Sequence, residues 1–368
     1  MGALDLLSGD AQLFTEKIWA SRTHLHHTDP DQLVGLLSLE DADRLLTDSA
    51  IRAPAIRIAQ DGSVLGDSAF TRHATIAGQT LTGLVDPGKA LELFRGGATI
   101  VFQGLHRYHA PLTRLVAELE LELGHPCQAN AYLTPPGSQG FAVHSDTHDV
   151  FVFQTAGSKR WEVHTPDGVE DITMEPGLSM YLPTGTPHAA RAQETVSLHV
   201  TIGINQLTWR GLVRRAVESV LPAEEHLPAG YLDDPSALRD GLAERLRGLA
   251  DAISAVDTQE AAEGQVRRFL TDRAPRLSGG LLDALAEIHD DTRLRRRPGH
   301  PCVILERDER IEVLLGDRSV TMPRQVRWAV EEIRARSEVM PAELPLDPQS
   351  RLVLCRRLVR EGLLEVAR

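Results

Sequence analysis

The segments NAYLTPPGSQG (130–140), FAVHSDTH (141–148), VFVFQTAGSKRWEVHTP (150–166), EPGLSMYLPTGTPHAA (175–190) and TVSLHVTIGI (195–204) decide the fold. Each is a short run rich in β-branched and aromatic residues, closed by Gly, Pro or a polar cluster, and so reads as strand and turn. Strands this short and evenly spaced predict a small barrel or sandwich. Working outward, LFTEKIWASRTHL (13–25) and SLEDADRLL (38–46) read as helices, the second with Ser38 as N-cap and Asp41 three residues on. RAPAIRIAQDG (52–62) alternates as a strand up to its glycine, GKALELFRGG (88–97) is a short helix, ATIVFQGL (98–105) a strand, and RLVAELELELG (114–124) a helix stopped at Gly124.

The pattern changes after about residue 207. Leu238, Leu242, Leu246, Leu249, Ile253 and Val256 recur at intervals of three and four, one apolar stripe of an amphipathic helix. TWRGLVRRAVESVL (208–221) and TQEAAEGQVRRFL (258–270) read alike. The tail offers two strands (PCVILERD, 301–308; RIEVLLGD, 310–317), a helix after Met322–Pro323 and a last helix from Ser350, an order that resembles a winged helix. TRLRRRPGH (292–300) reads as a charged linker between the two. Three domains are therefore expected: 1–207 with the barrel and its N-terminal helices, 208–292 helical, and 293–368 winged-helix.

Composition narrows the class. Of 368 residues, 42% are hydrophobic and 25% charged, the balance of a folded globular chain. A formal charge of −13 argues against general nucleic-acid affinity and for attraction of a basic partner. The thiols Cys127, Cys302 and Cys355 are few, far apart and odd in number, which suits a reducing cytoplasm rather than a disulfide framework. No apolar run reaches the ~20 residues of a membrane span.

Chemistry concentrates at His144, Asp146 and His188. On a strand, residues two apart face the same way, so His144 and Asp146 project together about 7 Å apart. His188 follows forty-two positions after Asp146, where Gly-x-x-x-Tyr-x-Pro-x-Gly-x-Pro-His turns a histidine back inward. Two imidazoles and one carboxylate form the facial triad of non-haem Fe(II), with room for a co-substrate and O2; a zinc hydrolase more often takes three protein ligands and one water. Lys159, thirteen residues after Asp146, shares a strand face with Trp161 and Val163. A lysine among apolar neighbours needs an anion, and the far carboxylate of 2-oxoglutarate is the natural one. His148 lies on the expected ligand face, as a fourth ligand or a histidine at the barrel mouth. His24, His26 and His27 cluster without a supporting carboxylate pattern.

At these residues the chain resembles the JmjC-type 2-oxoglutarate oxygenases of the cupin superfamily, and within them the ribosomal oxygenase (cupin-4) group. The resemblance covers most of the chain. It implies an α+β fold: a double-stranded β-helix, then a helical dimerisation module and a C-terminal winged helix. It implies Fe(II) held by His144, Asp146 and His188, with 2-oxoglutarate and O2 as co-substrates and no catalytic residue beyond the metal centre. Lys159 matches the basic residue that grips 2-oxoglutarate, with Asn130 near it; Ser197 and His199 would add hydrogen bonds to the co-substrate. Tyr132 falls where relatives contact the substrate side chain, although both it and Asn130 also suit a polar barrel core. Leu178 departs from a generic cupin, which often has Asp after that glycine. The implied activity is hydroxylation of an Arg or His side chain of a protein, a basic ribosomal protein above all, by a cytoplasmic homodimer. Competing readings are a hydroxylase that tailors a peptide or amino acid, and a metal-free cupin with a winged helix acting as a DNA-binding regulator.

Overall fold

The computed structural model describes residues 2–138, 142–191, 194–221, 223–232 and 234–368. The chain divides into two compact units, Met1–Gln206 with Pro298–His300, and Leu207–Arg297 with Pro301–Arg368.

The first unit contains the strands β1 (His24–His27), β2 (Ile56–Gln60), β3 (Ser63–Val64), β4 (Thr71–Ile76), β5 (Gln79–Val85), β6 (Thr99–Phe102), β7 (Cys127–Thr134), β8 (Asp149–Gly157), β9 (Lys159–Thr165), β10 (Gly168–Met174), β11 (Leu178–Leu182), β12 (His188–Arg191) and β13 (Ser197–Ile204). Eight of them form one sheet in the order β1-β11-β8-β13-β7-β6-β2-β3, and β10-β9-β12 form a second. Every pairing in these two sheets is antiparallel. This is a mixed α/β unit built around two antiparallel sheets that pack against each other.

Alternation gives the large sheet two unlike faces. Phe151 and Phe153 of β8, Leu198, Val200 and Ile202 of β13, and Ala129 and Ala131 of β7 join a core with Phe14, Leu112, Leu115, Val116 and Leu119. The last four lie on the helix Ala110–Leu123, which ends at Gly124 in the left-handed conformation, as expected of a glycine C-cap. The alternate residues Val150 and Val152 instead pack with Trp161, Val163 and Ala190 of the small sheet. Residues of both sheets thus surround the barrel interior.

Several expectations need correction. Helix in 13–25 stops at Ile18, and His24–His27 pairs with Leu178–Tyr181 as an edge strand. A backbone turn with Ala20 at φ +54° separates the two. The segment 141–148 is not a strand: Phe141 lies outside the described residues, and of the rest only His144 pairs, in an isolated bridge to His188. Ser145, Asp146, Thr147 and His148 are polar residues that favour turns over ladders. The arginine run is not a linker either. Leu294–Arg296 is the middle strand of a sheet with Glu338–Val339 and Leu364–Val366. Arg295 pairs with Glu365, and the buried Arg297 with Asp283 and Glu365.

The second unit contains the helices Trp209–Glu218, Ser236–Ser254 and Thr258–Phe269, then the sheet Val303–Arg307, Arg310–Leu314, Ser319–Pro323 and the helices Arg327–Ala335 and Pro348–Arg360. Its core is formed by Ile311, Val313, Val320, Ile333, Leu354, Cys355 and Leu358. By contrast Leu242, Leu246 and Ile253 on the long helix, and Val213 and Val266 on its neighbours, are exposed. All three cysteines are free and buried. Among the described residues no helix is long and apolar enough to cross a membrane.

Candidate metal centre and its cavity

The bridge between His144 and His188 builds the centre. Each backbone N–H donates to the other residue's carbonyl, at 3.0 and 2.8 Å, which places the two rings 4.5 Å apart. Gly185 N–H donates to the Asp146 carbonyl at 3.0 Å and so ties the third residue to the turn preceding His188. One ligand atom from each of His144, Asp146 and His188 lies within 4.8 Å of the others, the one such cluster among the described residues. Spacing along a strand therefore has no part in this arrangement; a loop and a bridge bring the residues together.

The donor chemistry fits a metal. His144 Nδ1 is 3.0 Å from the Ala142 carbonyl and His188 Nδ1 is 2.9 Å from the Thr186 carbonyl. Each ring must donate there, which leaves Nε2 with a free lone pair, the tautomer a ligating histidine needs. His188 is buried, and desolvation lowers its pKa, with the nearby His144 adding to the effect. It is therefore held neutral and able to ligate. The Asp146 carboxylate stands 3.6 Å from His188 Nε2, too far for a hydrogen bond and close enough to share a cation.

Asp149, which the sequence reading overlooked, supports the loops from below. It is 1% exposed and accepts hydrogen bonds from Thr184 N–H and Thr184 Oγ1 (both 2.7 Å) and from the Tyr181 hydroxyl. An acid opening the apolar run DVFVFQ has to be paired, and that was its signal in the sequence. By gripping Thr184 it anchors the turn 183–187, which contains Gly185 and leads into His188.

A cavity of about 270 Å³ opens beside the triad. Gln128, Asn130 and Tyr132 of β7 and His199, Thr201 and Gly203 of β13 line one wall; Lys159 and Trp161 of β9 face them. Lys159 is 3% exposed, and burial lowers its pKa to about 8. No carboxylate among the described residues pairs with it, whereas its neighbour Arg160 points outward to Asp171 at 2.7 Å. Tyr132 stacks on His199 with ring centres 4.9 Å apart, and burial raises the phenol's pKa. Burial and then the Lys159 charge push His199 down to about 3, so it is a neutral imidazole. Asn130 Oδ1 accepts from Gly104 N–H at 2.9 Å.

The remaining expected residues divide. Ser197 is buried but does not line the cavity; its hydroxyl accepts from Gln154 Nε2 at 3.0 Å. Between Leu198 and His199 the pairing of β13 with β8 shifts register, Thr155 of β8 being the extra residue. His148 lines the cavity without joining the triad cluster, its ring resting over Gly203, where a Cβ would lie 2.6 Å from Nε2. His24 Nε2 bonds the Ser8 carbonyl, and the three N-terminal histidines form no metal cluster among the described residues. Several cavity residues went unread, among them Arg57 of β2 and Thr201 of β13. In the sequence, an Arg or Thr alternating with buried apolar residues looks like a solvent-facing position.

Three buried polar atoms on the cavity lining have no hydrogen-bond partner: Arg57 Nε, Trp161 Nε1 and His199 Nδ1. Buried polar groups are ordinarily satisfied, so their presence beside an unpaired lysine fits a polar, anionic small molecule in this space. The donor set thus fits Fe(II), and the cavity fits 2-oxoglutarate.

The sequence of the JmjC domain matches residues 108–169 and 164–212 of this chain. Over 161 residues, 41% of this chain, it is 34% identical to the bifunctional lysine-specific demethylase and histidyl-hydroxylase NO66 of Branchiostoma floridae, covering 26% of that protein. Over 307 residues, 71% of this chain, it is 27% identical to human ribosomal oxygenase 1, covering 46% of that protein. The chain thus spans less than half the length of either. Among solved structures, the Escherichia coli ribosomal oxygenase YcfD matches 97% of this chain and 98% of its own with a TM-score of 0.52 at 19% identity, a likeness of fold. Residues 108–212, which contain the triad and most of its cavity lining, thus match the JmjC domain.

Proposed function

We propose that the chain is an Fe(II)- and 2-oxoglutarate-dependent dioxygenase that hydroxylates an Arg- or His-type side chain of a protein, a basic ribosomal protein being the leading candidate. The observation that carries this reading is the His144, Asp146, His188 cluster opening onto a cavity that contains a buried lysine with no carboxylate partner. His144 and His188 offer Nε2 lone pairs and Asp146 a carboxylate, a donor set that leaves coordination positions for other molecules. When bound, Fe(II) with 2-oxoglutarate and O2 supplies the oxidising power to convert C–H into C–OH, releasing succinate and CO2.

The protein's own part is to bind, orient and keep water out. Lys159 Nζ donates to the distal carboxylate of 2-oxoglutarate. Asn130, fixed by Gly104, and the neutral His199 are placed along the same wall. Tyr132 presents its ring to the incoming side chain, its other face being stacked on His199. Asp149 keeps the turn before His188 in place.

The formal charge of −13 supports a cationic protein substrate, and relatives named ribosomal oxygenase support a ribosomal one. We assign residues 208–292 to dimerisation and 293–368 to a winged helix that contacts protein. The helices Trp209–Glu218 and Thr258–Phe269 have no buried residue, and Leu242 and Leu246 are more than half exposed, faces that a second copy would cover. Free, buried thiols suit the cytoplasm. The test is incubation of the protein with Fe(II), 2-oxoglutarate and separated ribosomal proteins. Succinate formed in step with a +16 Da shift on one of them is expected. No succinate with any fraction would overturn the reading.

A further inference from the structure

Arg57 lies on β2 between Ile56 and Ile58, both buried in the helix-covered core. Alternation turns Arg57 to the opposite face, where it lines the same cavity as Lys159, Tyr132 and His199. The strand register places it in their row: Arg57 opposes Val101, Val101 opposes Tyr132, and Tyr132 opposes His199. Its Nε is buried and unpartnered, and no carboxylate among the described residues pairs with it. Asp146 is the only acid on the described lining.

Charge arithmetic then separates the two basic residues. With a divalent ion, Asp146, a 2-oxoglutarate dianion and Lys159 in place, the formal charges cancel. Arg57 is left as one surplus positive charge with its Nε unpartnered. A guanidinium or ammonium entering beside it would be buried next to a like charge without an acid to offset either. An uncharged acceptor would instead satisfy the guanidinium donors.

We propose that Arg57 is a substrate-recognition residue, and that it selects uncharged hydrogen-bond-accepting side chains, imidazole or carboxamide, while excluding guanidinium and ammonium. This rests on the hydroxylase reading above and narrows it, since it removes arginine as the target.

The test uses four fluorescein-labelled peptide pools of random sequence, each with one fixed central residue: His, Asn, Arg or Lys. Binding to the full-length protein loaded with Mn(II) and 2-oxoglutarate is followed by anisotropy, without turnover. The His and Asn pools should bind at least about tenfold tighter than the Arg and Lys pools, the loss expected for a charge-assisted hydrogen bond. Arg57→Gln should abolish that preference, and Arg57→Glu should reverse it. Arg57→Lys, which retains the charge, should still exclude the cationic pools if the other variants fold poorly. Quenching of Trp161 fluorescence reports 2-oxoglutarate binding separately. Equal or tighter binding of the Arg pool to the unsubstituted protein overturns the proposal. So does an Arg57→Gln protein that keeps its peptide preference but binds 2-oxoglutarate more weakly, since Arg57 would then hold the co-substrate. If the unsubstituted protein binds 2-oxoglutarate and no pool is preferred, this proposal falls alone. If it does not bind 2-oxoglutarate, the hydroxylase reading falls with it.

Discussion

Replacing Lys159 isolates the co-substrate anchor. The side chain is 3% exposed, and no described acid pairs with it, so its removal leaves no protein charge stranded. The whole effect must then fall on the ligand. A hydrogen bond to a charged group contributes about 1.5–3 kcal/mol, so Lys159→Met, which fills similar space without charge, should raise the 2-oxoglutarate KM about 10- to 150-fold. Lys159→Ala should do the same and additionally loosen the packing on Trp161. Fe(II) affinity should stay where it is, because Lys159 is not in the His144, Asp146, His188 cluster. Acidity gives a second handle. Burial lowers the amine's pKa to about 8, and only the ammonium form attracts the carboxylate. In the unsubstituted protein, 2-oxoglutarate affinity should therefore be constant below pH 8 and fall as the pH rises through it, by about tenfold per unit. In Lys159→Met that dependence should vanish. The assay is 2-oxoglutarate titration followed by succinate release across pH 6.5–9.5, alongside anaerobic Fe(II) titration. An unchanged KM in Lys159→Met, or an unaltered pH dependence, would refute the assignment.

Three further outcomes are expected. His144→Ala and Asp146→Ala should each lose Fe(II) binding in calorimetry with little change in Tm, since His144 is exposed and Asp146 partly so, and substitutions near the surface usually cost under about 0.5 kcal/mol. Asp149→Ala should lower stability by about 2–4 kcal/mol in denaturant titration, because Tyr181 Oη and Thr184 N–H lose their acceptor; it should also weaken Fe(II) binding through the loosened turn, and unchanged metal affinity would confine Asp149 to a stability role. Light scattering should give a dimeric mass that Leu242→Asp with Leu249→Asp converts to monomer; a monomeric unsubstituted protein would remove residues 208–292 from assembly.

Much of the site was legible in sequence because it depends on residue type and on the turns around it. The Gly-Pro punctuation of 175–190 was expected to turn His188 inward, and His188 is buried directly after that turn. Lys159, Trp161 and Val163 were expected on one inward face, and all three are buried while Arg160 is exposed. The strand assigned to FAVHSDTH failed even though the ligand pair it was meant to explain came together. His-x-Asp looks the same to a periodicity argument whether alternation or a loop bridge to His188 aligns it. Ser197 is buried against Gln154 and does not line the cavity, a contact between distant residues that leaves no mark in TVSLHVTIGI.

What the sequence determined by itself, then, was local: where strands begin, which residues can ligate, and which lysine is too apolar in its surroundings to face water. What lies opposite each face was decided by tertiary structure. Arg57 and Thr201 both read as unremarkable strand positions, because alternation separates two faces of a strand but cannot say whether the second face meets solvent or a second sheet. The large sheet has helices on one side and the small sheet across from the other. That closure turns a nominal solvent face into a cavity wall, and it moves Arg57 from the surface to the space beside Tyr132. The same holds for the arginine run: its charges read as a linker until the strand Leu364–Val366 supplies Glu365 and the helix Gly280–Ala284 supplies Asp283 as partners. These partners lie fourteen and seventy positions away, and such contacts leave no period in the chain to read.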